Sequence, residues 1–262
     1  LFIIFPHIPV APLLGTNKLS SIAGTSIASL QYAMRVDVSW KATLPATFAA
    51  LVFSFLGAKT VSMLNPAVMR PVIFFLLVAI AIYTFIKKDF GTVHVPRFGH
   101  RMQFSFSVVT GVAIGFYDGF FGPGTGSFLI FVFIGIFGFS FLSASASSKV
   151  INFATNLSAV VYFMSTNNII YRLAIPMAVC NMLGSLVGTR LAIFKGSRFV
   201  RVIFLIVVSM LIVKLAYDTF STLSTPQGRF TRELIFLRQQ RVRCYNLLIL
   251  IEIINLDFMY TF

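Results

Sequence analysis

The sequence predicts an all-α fold: a polytopic transmembrane helical bundle built from two homologous repeats, with a broken or re-entrant Gly-rich helix. Hydrophobic residues make up 58% of the 262 positions and charged residues only 11%, an apolar excess too large for one soluble core of this size. Apolar runs long enough to cross a bilayer recur along the chain. The chain also aligns with itself at a single offset, and a glycine cluster interrupts its longest apolar run.

In order, the runs cover about 17–34, 42–58, 71–86, 104–137, 146–165, 173–189 and 200–217. Short connections separate them, such as MRVDVSWK after the first and KKDFGTVHVPRFGHR after the third. The fourth run is too long for one untilted crossing and short for two. Inside it lies GFYDGFFGPGTGSF, residues 115–128, whose five glycines and one proline interrupt a helix. Backbone freed from helical hydrogen bonding within a bilayer is tolerated only where protein or water satisfies it. Two half-helices facing a cavity, or a re-entrant hairpin, are therefore expected. Beyond Asp218, residues 219–244 are polar with five arginines, and 245–262 are apolar but carry Glu252 and Asp257; the tail 219–262 receives no role.

A shift of 131 positions, without a gap, superposes Lys18 on Lys149, Tyr32 on Phe163, Pro45 on Pro176, Gly57 on Gly188, Lys59 on Arg190 and Arg70 on Arg201. Each pair holds an equivalent place in its run, which predicts a first transmembrane repeat over 1–90, a loop at 91–103 and a second repeat over 104–218. The same register places the first repeat's copy of the glycine segment before Leu1, so the reading frame is expected to extend upstream. Counting the long run as one crossing divides the loop Lys and Arg 7 against 6. Counting it as a hairpin divides them 10 against 3, inverts the two halves and puts the 190–200 loop in the cytoplasm.

The formal charge of +14 is scattered through short connections, as suits a chain flanked by anionic lipid headgroups and not one that binds nucleic acid. Cys180 and Cys244 have neither metal spacing nor a disulfide framework, and no metal or cofactor is expected. No GxxxxGK[ST] phosphate loop occurs, which excludes ATP-driven pumping by this chain. His7, His94 and His100 lie outside the apolar runs with no HExxH spacing, so no catalytic residue is expected. Secondary transport is the first reading; an integral membrane enzyme or a structural membrane subunit is the alternative.

Asp118 is the only acidic residue within the seven runs. A carboxylate at mid-bilayer costs about 2.5–3.5 kcal/mol, so it faces a polar interior and suits proton handling; the competing role is a structural cap on the following turn. Lys18, Ser21 and Thr25 recur at i, i+3 and i+7, and Lys149, Asn152 and Asn156 repeat that spacing one offset later. Each set shares one helix face. Facing one another, the two stripes would line an anion path; snorkelling lysines and helix-gluing polar groups are the alternative. Gly122, Gly124, Thr125 and Gly126 would let a ligand approach the backbone at a helix N-terminus, where a dipole favours an anion.

Taken together, LGTNKLSSIAGT (14–25), GFYDGFFGPGTGSF and SSKVINFATN (147–156) resemble the TauE/SafE family of membrane transporter proteins, the sulfite/organosulfonate exporter-like group, in its YfcA-like branch. The likeness covers about residues 10–218. It implies a multi-pass protein of the bacterial cell inner membrane, with about eight spans in two repeats, that moves sulfite, sulfonates or related small organic anions. By motif, Thr16, Asn17 and Lys18 carry over from the first half, and Asp118, Gly119, Gly122, Pro123, Gly124, Gly126 and Lys149 from the second. The implied partners are a small anion such as sulfite or sulfonate and the lipid bilayer, with a homo-oligomer left open. The family's first glycine-rich segment has no counterpart here, and the tail beyond Asp218 is unlike the family's short ending.

Overall fold

The computed structural model describes residues 8–63, 99–122 and 124–195. The expected runs at 71–86 and 200–217, the tail 219–262 and Pro123 lie outside the described residues. Six helices account for most of what is described: α1 Val10–Arg35, α2 Trp40–Ser62, α3 His100–Phe120, α4 Thr125–Gly135, α5 Phe141–Ser165 and α6 Tyr171–Lys195. No strand occurs among the described residues. By length and composition, α2 and α6 can each cross a bilayer.

Several helices outrun the apolar runs. α1 begins at Val10 and α5 at Phe141, upstream of the expected starts: residues 10–15 are apolar and extend the first run, and the hydroxyls at both starts bond back one turn, which keeps them within the helix. Thr16 Oγ1 donates to the Pro12 carbonyl at 2.6 Å and Ser145 Oγ to that of Phe141 at 2.8 Å. Ser140 caps α5, its hydroxyl accepting the Ser143 amide at 3.3 Å. The glycine segment divides its run unequally. The 21 residues of α3 rise about 31 Å, close to a full hydrocarbon thickness, while the 11 of α4 rise about 16 Å. A long helix followed by a short one divides the run unequally, since the first glycines lie inside α3 and do not break it.

Those helical glycines make the closest packing in the bundle. A Cβ on Gly111, Gly115 or Gly119 would collide with the backbone of Ala46, Ala50 or Ser54, and one on Gly57 would collide with that of Phe116 and Phe120. Small residues at every fourth position on both helices let the two backbones touch. Both columns advance together, so α2 and α3 are parallel, and Ser62 and His100 lie at opposite ends of the pair.

Polar bonds orient the remaining helices. Thr43 Oγ1 donates to Ser147 Oγ at 2.9 Å, and the Ser62 and Tyr162 hydroxyls meet at 2.6 Å, so α5 runs parallel to α2. α1 runs antiparallel to α5, with Gly15 against Phe163 and Lys18 against Asn156. α6 follows the direction of α1: Asn181 Nδ2 donates to the Ser20 carbonyl at 3.1 Å, and Ser185 Oγ to that of Gly24 at 2.7 Å.

The offset of 131, seen directly in the contact between Thr25 and Asn156, also separates the starts of α1 and α5 and those of α2 and α6. The bond from Ser54 Oγ to the Thr155 carbonyl, 2.9 Å, becomes the Ser185 to Gly24 bond when both its members are shifted by that offset in opposite senses. Outward-facing apolar residues follow suit, with Phe48, Val52 and Leu56 on α2 and Val179, Leu183 and Val187 on α6 all exposed. A stripe of this kind suits lipid. Inside, Phe133, Phe137 and Phe139 pack with Tyr32, Ala46 and Ala50 around the end of α4.

Replacing Gly115 with Leu should force α2 and α3 apart at a contact of backbone on backbone. The expected cost is at or above the usual 1–3 kcal/mol of overpacking, roughly, read as a lower melting temperature of the detergent-solubilised chain. Gly99→Ala, at a position with nothing within 4 Å of the added carbon, should melt like the parent. Equal melting of the two variants would refute this packing.

Candidate functional site

The break between α3 and α4 is built from two glycines in left-handed backbone conformations. Gly122 has φ +88° and Gly124 φ +84°, a region where a β-carbon is strained. The Phe121 amide still donates to the Tyr117 carbonyl at 2.8 Å, ending α3, and the Phe128 amide donates to that of Gly124 at 3.1 Å, starting α4. The chain between is pinned by Thr125, whose hydroxyl contacts the Gly122 carbonyl at 2.7 Å and the Asp118 Oδ1 at 2.6 Å. A Cβ at Gly122 would lie 3.4 Å from both the Cε and the Nζ of Lys18, an ordinary contact, so the positive φ is what calls for glycine there.

Lys18 arrives from the middle of α1 and is 1% exposed. Its ammonium donates to Asp118 Oδ2 at 2.6 Å and to Asn156 Oδ1 at 3.1 Å. Asp118, 2% exposed, therefore has both oxygens occupied, one by the lysine and one by Thr125. A carboxylate and an ammonium at this depth are each costly alone; together, with every near contact a charge-assisted hydrogen bond, they are tolerated. The Asn156 amide also contacts Thr25 Oγ1 at 3.4 Å. One connected set of side chains thus ties α1, α3, the start of α4 and α5. On the side toward the start of α1, Leu14, Phe121, Tyr162 and Phe163 pack into an apolar cluster.

The two polar stripes face each other, joined by the Asn156 contacts to Lys18 and Thr25. Lys149 and Asn152 are buried on the same face of α5 as Asn156; seven residues of helix place Lys149 about 10 Å along from Asn156. Gly126 lies in the first turn of α4, its carbonyl accepting from Ser148 Oγ at 3.2 Å. Gly119 contacts Ser54 and serves the α2–α3 packing. Thr16 is held by α1 itself and by the Ile170 amide at 2.9 Å. Asn17 is half-buried, and none of the bonds that knit the cluster involves it. Pro123 lies outside the described residues.

Sequence reasoning named Lys18 and Asp118 separately and missed that they pair across 100 positions. The signal was available in part: the only acid of the apolar runs requires a cationic partner within them, and Lys18, Lys149, Arg201 and Lys214 were the candidates. It also missed Thr125 as a clamp, treating it only as a small residue.

The chain matches the family model described as Sulfite exporter TauE/SafE over residues 1–215. It belongs to the TauE/SafE family. It is 35% identical over 211 residues to a Sinorhizobium protein named "Probable membrane transporter protein ORF9", covering 80% of each chain. It is 31% identical over 212 residues to "Probable membrane transporter protein YfcA" of Escherichia coli K12, covering 80% of this chain and 77% of that one. A Haemophilus influenzae "Probable membrane transporter protein" is 30% identical over 210 residues, covering 80% of this chain and 82% of its own. No solved structure gives a significant match. The family and the names of these relatives indicate a membrane transporter and not an enzyme.

Asp118→Asn should leave the Lys18 charge buried without its counter-charge and cost about 3–5 kcal/mol. Joint replacement by Lys18→Met and Asp118→Leu should recover most of that loss. A thermal-unfolding double-mutant cycle measures the coupling; additive single losses would show that the pair contributes nothing.

Proposed function

We propose that this chain is a multi-pass secondary transporter of the bacterial inner membrane that moves a small sulfur-containing or organic anion, such as sulfite or a sulfonate, together with a proton. The observation that carries the reading is the pair Lys18–Asp118, 2.6 Å apart and buried where a helix breaks. In it, the carboxylate of Asp118 occupies the place an anionic substrate would take: against an ammonium and at the N-terminal turn of α4, whose first amides have no intrahelical acceptor. Protonation of Asp118 removes its hold on Lys18 and frees that ammonium for the anion. Departure of the anion returns Lys18 to the ionised carboxylate. One proton and one monoanion then enter or leave together, and the buried charge stays balanced at each step.

Alternating access needs two bodies that rock about a fixed site, and inverted repeats supply them. We assign residues 1–90 to the first repeat and 104–218 to the second. The matched helix starts, the exchanged serine bonds and the antiparallel course of α1 and α5 support this assignment. α4 is read as a re-entrant return. α3 and α5 both run parallel to α2, so the chain between them must come back; the Ser148 to Gly126 contact and the five-residue link from α4 to α5 fit an antiparallel pair. On this topology Arg35, Lys41, Arg190 and Lys195 share the side that the positive-inside rule makes cytoplasmic. The family's printed description as a sulfite exporter supports a small oxyanion as cargo.

Reconstituted into proteoliposomes, the full chain should accumulate labelled sulfite or sulfonate when the outer solution is the more acidic. Asp118→Asn, a fixed imitation of the protonated acid, should lose the dependence on the proton gradient. Gradient dependence that survives in that variant removes Asp118 from coupling, and a parent chain that moves none of these anions contradicts transport of this class.

A further inference from the structure

The ion pair leaves buried polar groups of the two stripes unsatisfied. Ser21 and Asn152 are each 1% exposed, and neither the Ser21 hydroxyl nor either amide atom of Asn152 has a hydrogen-bond partner among the described residues. An unpaired polar group buried in this way costs about 1–3 kcal/mol, and more than 90% of comparable groups are satisfied by protein or water. The two residues also stand at equivalent places. Each follows a buried lysine by one helical turn, Lys18 for Ser21 and Lys149 for Asn152, and the two positions are related by the same offset of 131 as the touching pair Thr25 and Asn156. Each residue stands at the middle of its own stripe, and the two antiparallel stripes are joined by the Asn156 contacts to Lys18 and Thr25. The remaining unpartnered groups, on Gln31 and Thr189, lie ten residues further along α1 and near the end of α6, one turn or more from either lysine's stripe.

We infer that Ser21 and Asn152 form the resting subsite of the transported ion, an oxygen-bearing monoanion held across the junction of the two halves. Its oxygens accept from Ser21 Oγ and Asn152 Nδ2, and the lysine one turn away on each helix supplies the charge. The inference rests on the anion-transport reading and deepens it. Lys18–Asp118 is where proton and anion exchange; Ser21–Asn152 is where the anion's oxygens are recognised. A site with one donor from each half can be approached from either side of the membrane without losing both contacts at once. Chloride satisfies the charge but, as a single atom, cannot reach two separated donors as the several oxygens of an oxyanion can, so sulfite, sulfonate or nitrate should bind more tightly than chloride.

The test is titration calorimetry of the purified full chain with sulfite, methanesulfonate, nitrate and chloride, joined to thermal unfolding without added anion. Ser21→Ala and Asn152→Leu should each weaken oxyanion binding roughly ten-fold or more, the equivalent of a lost hydrogen bond to a charged group. Asn152→Leu should at the same time melt no lower than the parent, because an apolar side chain of similar volume replaces an unsatisfied amide. Parental oxyanion affinity in both variants, or chloride bound as tightly as the oxyanions, overturns the inference and leaves anion transport standing. Ser21→Ala decides the affinity alone should Asn152→Leu fold poorly. A parent chain that binds none of the four ions overturns both readings.

Discussion

A lysine and an aspartate, each buried in the interior of a bundle whose outer faces are greasy, tolerate their position only because they hold each other. Removing either leaves a bare charge in a medium that cannot solvate it. The rest of the described structure serves to bring Lys18 of α1 and Asp118 of α3 together. Asp118 stands two residues before the end of α3, beside the break that Gly122 and Gly124 turn in left-handed backbone conformations, and the lysine head meets it there. Thr125 then fixes the far side of the carboxylate and the first turn of α4 in one contact. Geometry so constrained is stable while the charges stay paired and is unsettled by anything that neutralises one of them, the property on which the proposed proton-coupled exchange rests.

Packing gives the pair a firm support on one side and a hydrogen-bonded one on the other. α2 and α3 meet through glycine, alanine and serine with backbone against backbone, leaving little room for relative motion. α1 and α6 instead meet through hydroxyl and amide bonds to carbonyls, Ser185 to Gly24 and Asn181 to Ser20, and α1 meets α5 through the side-chain bonds of Asn156 to Lys18 and Thr25.

Much of this was legible in the sequence. The all-helical architecture follows from length and composition, and the interruption from glycine and proline, which no helix through a bilayer carries in such number without reason. The carrier stripes followed from spacing alone, since i, i+3 and i+7 place Lys18, Ser21 and Thr25 on one face whatever the tertiary fold. What periodicity cannot give is the partner across 100 residues: it orders residues around one axis and says nothing of which axes adjoin. The uneven division of the long run was hidden for a related reason. Gly115 and Gly119 look like breakers in a composition count, but in α3 they remain helical because α2 presses against them and gains more from the close approach than the helix loses. Asn17 carries the opposite lesson: it sits next to the lysine in sequence and a hundred degrees away around the helix.

The pairing of Lys18 with an ionised Asp118, and its replacement by substrate, can be seen as chemistry of a single group. Infrared difference spectra of the full chain, recorded with and without sulfite at constant pH, should show an ionised carboxylate band lost and a protonated carboxyl band gained when the anion binds, with both features absent from Asp118→Asn. Spectra in which sulfite binds with the Asp118 carboxylate unchanged would mean that the anion does not compete for Lys18, and the exchange at the heart of this structure would not occur.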